Sequence, residues 1–143
     1  MPFHVLLVED NPGDVMLARI AVAEAGVDCE LHVVSDSADA VRFIHGRGEF
    51  WNAPKPDLII MDWRLPYRSG TELLAEIRNL HDYREVPVVV YSACRVPEES
   101  KKAREFGANG WLSKSTDLDR HLKEFAELVR DSSRVSASFS SSS

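Results

Sequence analysis

Five polar residues in this chain sit at or just beyond the ends of apolar runs: Glu9, Asp10, Asp62, Ser92 and Lys114. The runs are Phe3-His4-Val5-Leu6-Leu7-Val8, Leu58-Ile59-Ile60-Met61, Val88-Val89-Val90-Tyr91 and Trp111-Leu112-Ser113. Three carboxylates offer the hard oxygen ligands that a divalent cation takes. A hydroxyl and an ammonium offer donors for a phosphoryl group. Two unit charges ~4 Å apart interact by ~4 kcal/mol at an effective dielectric near 20, so three gathered carboxylates need a counter-ion. If these residues meet, the chemistry they suit is the holding of a cation and a phosphoryl group together.

What must bring them together is an alternation, repeated five times, of a short apolar run with an amphipathic segment. Asp14 to Ala25 carries Leu17, Ala18, Ala21, Val22 and Ala25 at helical spacing and stops at Gly26. Leu31 to Val34 reads as a second strand, and Asp36-Ser37 caps a short helix carrying Ala40, Val41 and Ile44. Gly46 and Gly48 close that helix, and Glu49 to Pro56 reads as a loop containing Trp51. The strand before Asp62 leads through Pro66 and Gly70 into a helix with Leu73, Leu74, Ile77 and Leu80. Pro87 stands at the edge of the fourth strand, Pro97 suits the first turn of a helix through Phe106, and Gly107 and Gly110 precede the fifth strand. Asp117 caps a last helix with Leu118, Leu122, Phe125, Leu128 and Val129. Strands alternating with helices of this length predict right-handed crossovers and a doubly wound α/β sheet, parallel and covered on both faces. In such a sheet the carboxyl ends of the strands open onto one crevice, where ligands bind.

Composition narrows the class. The chain has 143 residues, enough for one domain, and 44% of them are hydrophobic. No apolar run approaches the ~20 residues of a membrane span, and Met1-Pro2-Phe3-His4 lacks the pattern of a secretory signal. Cys29 and Cys94 form no CxxC pair, and two separated thiols suit a reducing cytoplasm. A net charge of -6 speaks against a nucleic-acid surface, which needs a basic stripe. From Ser132 the chain is mostly serine and is expected to be a flexible tail over 132–143, leaving one domain over 1–131.

The motifs Leu7-Val8-Glu9-Asp10-Asn11, Met61-Asp62 with Pro66 and Gly70 behind it, Val90-Tyr91-Ser92-Ala93, and Lys114 resemble, in order and placement, the receiver domain of bacterial response regulators. The resemblance covers about residues 3 to 130. It implies a flavodoxin-like (βα)5 fold with strand order 2-1-3-4-5, as in the chemotaxis receiver. The Asn11-Pro12-Gly13-Asp14 start and the extended Glu49–Pro56 loop are similar to a narrower group, the single-domain regulators that partner phytochrome-type sensor kinases.

The resemblance carries over residue by residue. It implies that Asp62 is the phosphoacceptor, its carboxylate attacking a phosphohistidine of a sensor histidine kinase to form an acyl phosphate. It implies Mg2+ held by Asp10, by Glu9 partly through water, by Asp62 and by the backbone carbonyl of Arg64. An aspartyl phosphate carries about −2; with Glu9 and Asp10 the pocket reaches about −4, and Mg2+ with Lys114 returns it to about −1. Lys114 and Ser92 would bind phosphoryl oxygens, and Ser92 would act as a switch with Trp111, which stands where the family commonly has Tyr or Phe. Each residue also has a plain structural reading: Glu9 and Asp10 as acidic residues before a helix, Ser92 as a turn residue, Lys114 as a solvated lysine, Trp111 as a fixed aromatic. Output would pass to a downstream protein partner, a phosphotransfer protein or a homodimer through the fifth strand and helix.

Departures from the pattern matter as much. Where the family usually has a proline after the lysine, often with a cis bond, Ser115 follows here, so a trans bond with an altered loop or a strained cis bond is expected. Arg64 and Cys94 occupy positions that line the path of attacking water in receivers. The histidines, His4, His32, His45, His81 and His121, show no ligand spacing and read as surface or hydrogen-bonded side chains. Three other functions compete. An aspartyl-phosphate hydrolase would want DxD, where Trp63-Arg64 follow Asp62; a flavodoxin would want a hydroxyl-rich loop, where Glu9-Asp10 repel phosphate; a phosphate-independent binding module remains open through Ser115.

Overall fold

Successive residues of the central strands point to opposite faces, and both faces are buried. Leu6, Val8, Ile59, Met61, Val88 and Val90 lie in one apolar cluster, and Val5, Leu7, Leu58, Ile60, Val89 and Tyr91 in the other. A strand covered on both sides must be apolar throughout, which is why these runs show no hydrophobic–polar alternation. The computed structural model describes residues 2–65, 69–93 and 97–141. Pro66 and Cys94 lie outside the described residues.

The elements follow in strict alternation: β1 (Phe3–Val8), α1 (Pro12–Ala25), β2 (Cys29–Val34), α2 (Ser37–His45), β3 (Leu58–Asp62), α3 (Gly70–Asn79), β4 (Val88–Ser92), α4 (Pro97–Glu105), β5 (Gly110–Ser113) and α5 (Leu118–Ser141). The five strands form one parallel sheet in the order β2-β1-β3-β4-β5, the order expected. Ala18, Ala21 and Ala25 of α1 and Phe125, Ala126 and Val129 of α5 cover one face. Ala40, Phe43 and Ile44 of α2, Leu73, Leu74 and Ile77 of α3 and Ala103 of α4 cover the other. Among the described residues no helix is long and apolar enough to cross a membrane.

Three local features go beyond the sequence pattern. Helix α1 starts at Pro12, two residues ahead of Asp14, because Asn11 caps it: Asn11 Oδ1 accepts the Asp14 N–H at 3.1 Å, and proline suits the first helical position. The loop after α2 is anchored by Phe50, whose ring lies 5.3 Å from that of Phe43, whereas Trp51 is 76% exposed. The serine-rich stretch from Ser132 is the continuation of α5, which runs to Ser141. No Gly or Pro interrupts the chain after Asp117, and serine is a tolerable helix former once a packed helix has already been nucleated.

A clamp that sequence patterning did not reveal closes the end of the sheet where β4 and β5 begin. Arg78, in the last turn of α3, donates from Nη1 to the carbonyls of Tyr83 and Val86 (both 2.7 Å), from Nη2 to Gly107 O and Asn109 Oδ1 (both 2.8 Å), and from Nε to Gly107 O (3.0 Å). Asn109 Oδ1 also accepts the Val88 N–H at 2.8 Å. Gly107 has φ 109, a conformation L side chains rarely adopt, and a Cβ there would crowd Arg78 Cγ and Nε at 3.0 Å, so glycine is favoured by the backbone and suits the close approach. On the remote face the Cys29 thiol is pushed up to about 11 by burial and by Asp28, Asp57 and Glu30, which leaves it protonated and unreactive near neutral pH.

Arg78→Met keeps the aliphatic stem but strands several carbonyls, each costing ~1–3 kcal/mol where water cannot replace the donor. We expect a loss of about 3 kcal/mol in urea unfolding; a change below about 0.5 kcal/mol would show that solvent takes over the clamp.

Candidate functional site

The strand register decides which polar residues meet. Val8 of β1 lies beside Met61 of β3, Asp62 beside Tyr91 of β4, and Ser92 beside Ser113 of β5. The residues that follow β1 and β5, together with the last residues of β3 and β4, therefore surround one crevice at the carboxyl end of the sheet. The expected set of Glu9, Asp10, Asp62, Ser92 and Lys114 gathers there. Glu9, Asp62 and Ser92 are buried, while Asp10 is exposed at the mouth.

Lys114 is the hub. Its Nζ lies 2.8 Å from Glu9 Oε2, 2.9 Å from Asp14 Oδ2 and 3.3 Å from Asp62 Oδ2. It also lies 4.8 Å from the centre of the Tyr91 ring, which presents its negative face to the ammonium. Burial works against the lysine's charge, but Glu9, Asp14 and Asp62 outweigh it and hold the ammonium above its usual range. The Glu9 carboxyl is pushed up to about 7, chiefly by burial and also by the charge of Asp62, with Lys114 and the Asn11 N–H opposing. Glu9 thus pairs with a cation and still resists ionisation, chiefly because burial deprives its carboxylate of water and secondarily because Asp62 is close by.

Asp14 is the site residue that the sequence reading missed. The Asn11 cap turns the chain straight into α1 and holds Asp14 in its first turn, from where its carboxylate reaches Lys114. The readable signal was Asn-Pro directly after the acidic pair, a cap followed by a first-turn proline, which starts the helix early enough to point its first carboxylate inward. Asn11 also donates its N–H to Glu9 Oε1 at 3.1 Å, so one residue positions both acids.

The carboxylate oxygens of Glu9, Asp10 and Asp62 include one from each residue lying within 4.8 Å of the others. Glu9 Oε2 meets Lys114 as an ion pair without an aligned hydrogen-bond donor among the described residues, so it retains lone pairs for a cation. An all-oxygen donor set of this kind suits a hard divalent ion. The Arg64 N–H donates to Asp62 Oδ1 at 3.0 Å, and Arg64 bridges back to Ser69 in antiparallel fashion. The backbone at Arg64 is therefore pinned beside the carboxylate, while the residue itself is exposed.

Aromatic packing shapes the walls. Trp63 lies under the start of α3, where a Cβ on Gly70 would come within 2.4 Å of its ring. The Trp63 and Trp111 rings stand 6.0 Å apart at 55°. Trp111 packs against the core, and its buried Nε1 has no hydrogen-bond partner among the described residues. A cleft of about 520 Å³ lined by Trp63, Arg64, Gly70, Glu72, Glu99 and Lys102 opens beside these rings. After Lys114 the chain continues through a trans bond to Ser115, as are all peptide bonds among the described residues. His121, read as a surface or hydrogen-bonded side chain, is buried and hydrogen-bonded, and it ties this loop: its Nε2 meets the Tyr91 hydroxyl in a short contact and its Nδ1 faces Ser115 O at 3.3 Å. That pairing assigns the proton to Nδ1, donating to the carbonyl, with Nε2 accepting from the phenol.

Comparison with known proteins agrees with this geometry. Residues 5–126 match the response regulator receiver domain. Response regulator Rcp1 of Synechocystis sp. is 34% identical over 129 residues, covering 90% of this chain and 85% of that protein. The crystal structure of the phosphorylated cyanobacterial phytochrome response regulator RcpA superposes with a TM-score of 0.84 at 31% identity, covering 90% of this chain and 91% of that one. The Mn2+-bound form of Rcp1 gives 0.82 at 33% identity, covering 89% and 91%. With its fold, its strand order and its matched residues in agreement, the chain belongs to the response regulator receiver family, the signalling domain of two-component systems.

Proposed function

We propose that Asp62 accepts a phosphoryl group from a sensor histidine kinase, in a pocket that holds Mg2+, and that the resulting change in charge alters this protein's contacts with its partners in the cytoplasm. The observation that carries the reading is the Lys114 ammonium set among Glu9, Asp14 and Asp62 at the carboxyl ends of the strands. Glu9, Asp10, Asp62 and the Arg64 carbonyl would hold the ion, which supplies positive charge to the phosphoryl oxygens. An Asp62 carboxylate oxygen attacks phosphorus, the P–N bond to the kinase histidine breaks, and the histidine leaves with the electron pair. Lys114 then exchanges its contact with Asp62 for a phosphoryl oxygen. Ser92, buried beside it, donates its hydroxyl to another. Trp111 follows as the residue whose packing responds, the switch reading of that position. The kinship with phytochrome-associated regulators supports a phytochrome-type kinase as the donor. Output then runs through a downstream protein, a phosphotransfer protein or a homodimer.

Beryllofluoride with Mg2+ mimics the phosphoryl group and tests the reading directly. The wild-type protein is expected to change its tryptophan fluorescence, through Trp63 and Trp111 beside the site, and Asp62→Asn is expected not to respond. Size in solution, followed in the same titration, reports any dimer. Silence from the wild type would move the protein to phosphate-independent binding.

Removing the central cation gives a second test. Lys114→Met leaves several acids unpaired, and breaking a buried pair from one side costs ~3–5 kcal/mol. Metal-free Lys114→Met should melt well below wild type, and Mg2+ should raise its melting temperature more than it raises that of wild type. An equal response to Mg2+ would mean that lysine and metal do not share the same negative charge.

Arg64 gives a third. With its backbone pinned beside Asp62 and its side chain exposed at the cleft, it either pairs with the phosphoryl group or obstructs water. Arg64→Asn should shorten the lifetime of the phosphorylated form several-fold, followed by loss of label from purified protein. An unchanged rate would remove Arg64 from that role.

A further inference from the structure

At the opposite end of β1, register brings together three potential ligands that their spacing in the sequence does not. His4 of β1 is paired with Glu30 of β2, and His32 stands two residues further along β2, so the three side chains leave the same face of the sheet. His4 Nδ1 lies 3.1 Å from His32 Nε2, and Glu30 Oε2 lies 3.4 Å from the first and 3.7 Å from the second. A tetrahedral ion with nitrogen and oxygen ligands at ~2.0–2.1 Å has ligand-to-ligand edges of ~3.3–3.4 Å. The triangle of donors therefore already has the size of one face of such a site.

We propose that His4, Glu30 and His32 form a binding site for a borderline divalent transition ion of the zinc class, with solvent as the fourth ligand.

The surroundings suit that role. Asp57 fixes the His4 backbone from both sides: its Oδ2 accepts the His4 N–H at 2.8 Å, and its own N–H donates to His4 O at 2.7 Å. The His32 ring packs 5.5 Å from that of Phe43, which orients it. Both rings are about four-fifths covered, whereas the Glu30 side chain is 57% exposed and leaves an open side through which an ion can arrive. Asp28, Asp57 and Glu30 make the local field negative. Without an ion, the close approach of two ring nitrogens needs one N–H between them. On binding, that ring changes tautomer and both nitrogens offer lone pairs, with no net proton released.

The donor chemistry separates this site from the acidic crevice. Two imidazoles and one carboxylate suit zinc, copper or nickel, while an all-oxygen set suits magnesium or manganese. At ~3.3 Å per strand residue, His4 is also roughly 16 Å from Glu9. An ion here would join the edge strand β2 to β1 through side chains as well as through the ladder.

The test is titration of the untagged full chain with Co2+ in the presence of excess Mg2+. One equivalent should give the intense visible absorption of four- or five-coordinate cobalt, and Zn2+ should bleach it. Loss of an outer-shell partner alone costs ~10–100-fold in affinity, so loss of a ligand should exceed this in His4→Ala and His32→Ala. His32→Gln keeps size and polarity without the ring nitrogen and should lose the ion while retaining wild-type circular dichroism. Asp62→Asn should bind as wild type. No intense band at millimolar Co2+, a band that survives His32→Gln, or a band abolished by Asp62→Asn would each overturn the proposal. Because Mg2+ occupies the other crevice throughout, failure here leaves the phosphoacceptor reading of Asp62 untouched.

Discussion

Lys114 keeps three carboxylates within ion-pair reach inside a mostly buried pocket, and this contact is possible only because β1, β3, β4 and β5 end at one level. Each pair of like charges at such distances is worth ~4 kcal/mol of repulsion at an effective dielectric near 20, so a lone ammonium cannot settle the pocket. Burial first, and the charge of Asp62 second, holds the Glu9 carboxyl above its usual range, so the acids of the pocket are short of water as well as of counter-charge. The pocket is therefore built to want more positive charge than the chain supplies. Its affinity for a divalent ion, and its sensitivity to a phosphoryl group, are two faces of the same imbalance.

Much of this was legible in the sequence, for identifiable reasons. The strands were readable because a sheet covered on both faces demands unbroken apolar runs, and the polar residues just behind those runs marked the crevice. Asp36 and Asp117 announced their helices as caps, and the structure bears both out. What escaped was whatever depends on contacts between elements. Asp14 belongs to the site because a cap three residues earlier, Asn11, turns α1 inward. Arg78 carries no local signal, since nothing in its helix indicates that the α3–β4 and α4–β5 connections will both converge on it. His4, Glu30 and His32 looked unrelated because pairing register is not a property of either strand alone. The continuation of α5 past Ser132 carries no local signal, because low hydrophobicity argues against independent folding and says nothing about the extension of a helix already packed.

The two ends of the sheet are held by different physics. Where β4 and β5 begin, the Arg78 guanidinium binds neutral carbonyls and an amide oxygen through directional hydrogen bonds. Where the strands finish, the contacts are between full charges, supported by the paired indoles and by the His121 link between Tyr91 and Ser115. Hydrogen bonds to neutral acceptors respond weakly to ions in solution, whereas contacts between charges respond strongly.

The Arg78 clamp thereby confers an asymmetry of compliance. At the starts of β4 and β5 one guanidinium ties both approaching loops to α3, so the two strands share a single anchor there, whereas at their finishing ends the contacts are between charges that salt and metal can rearrange.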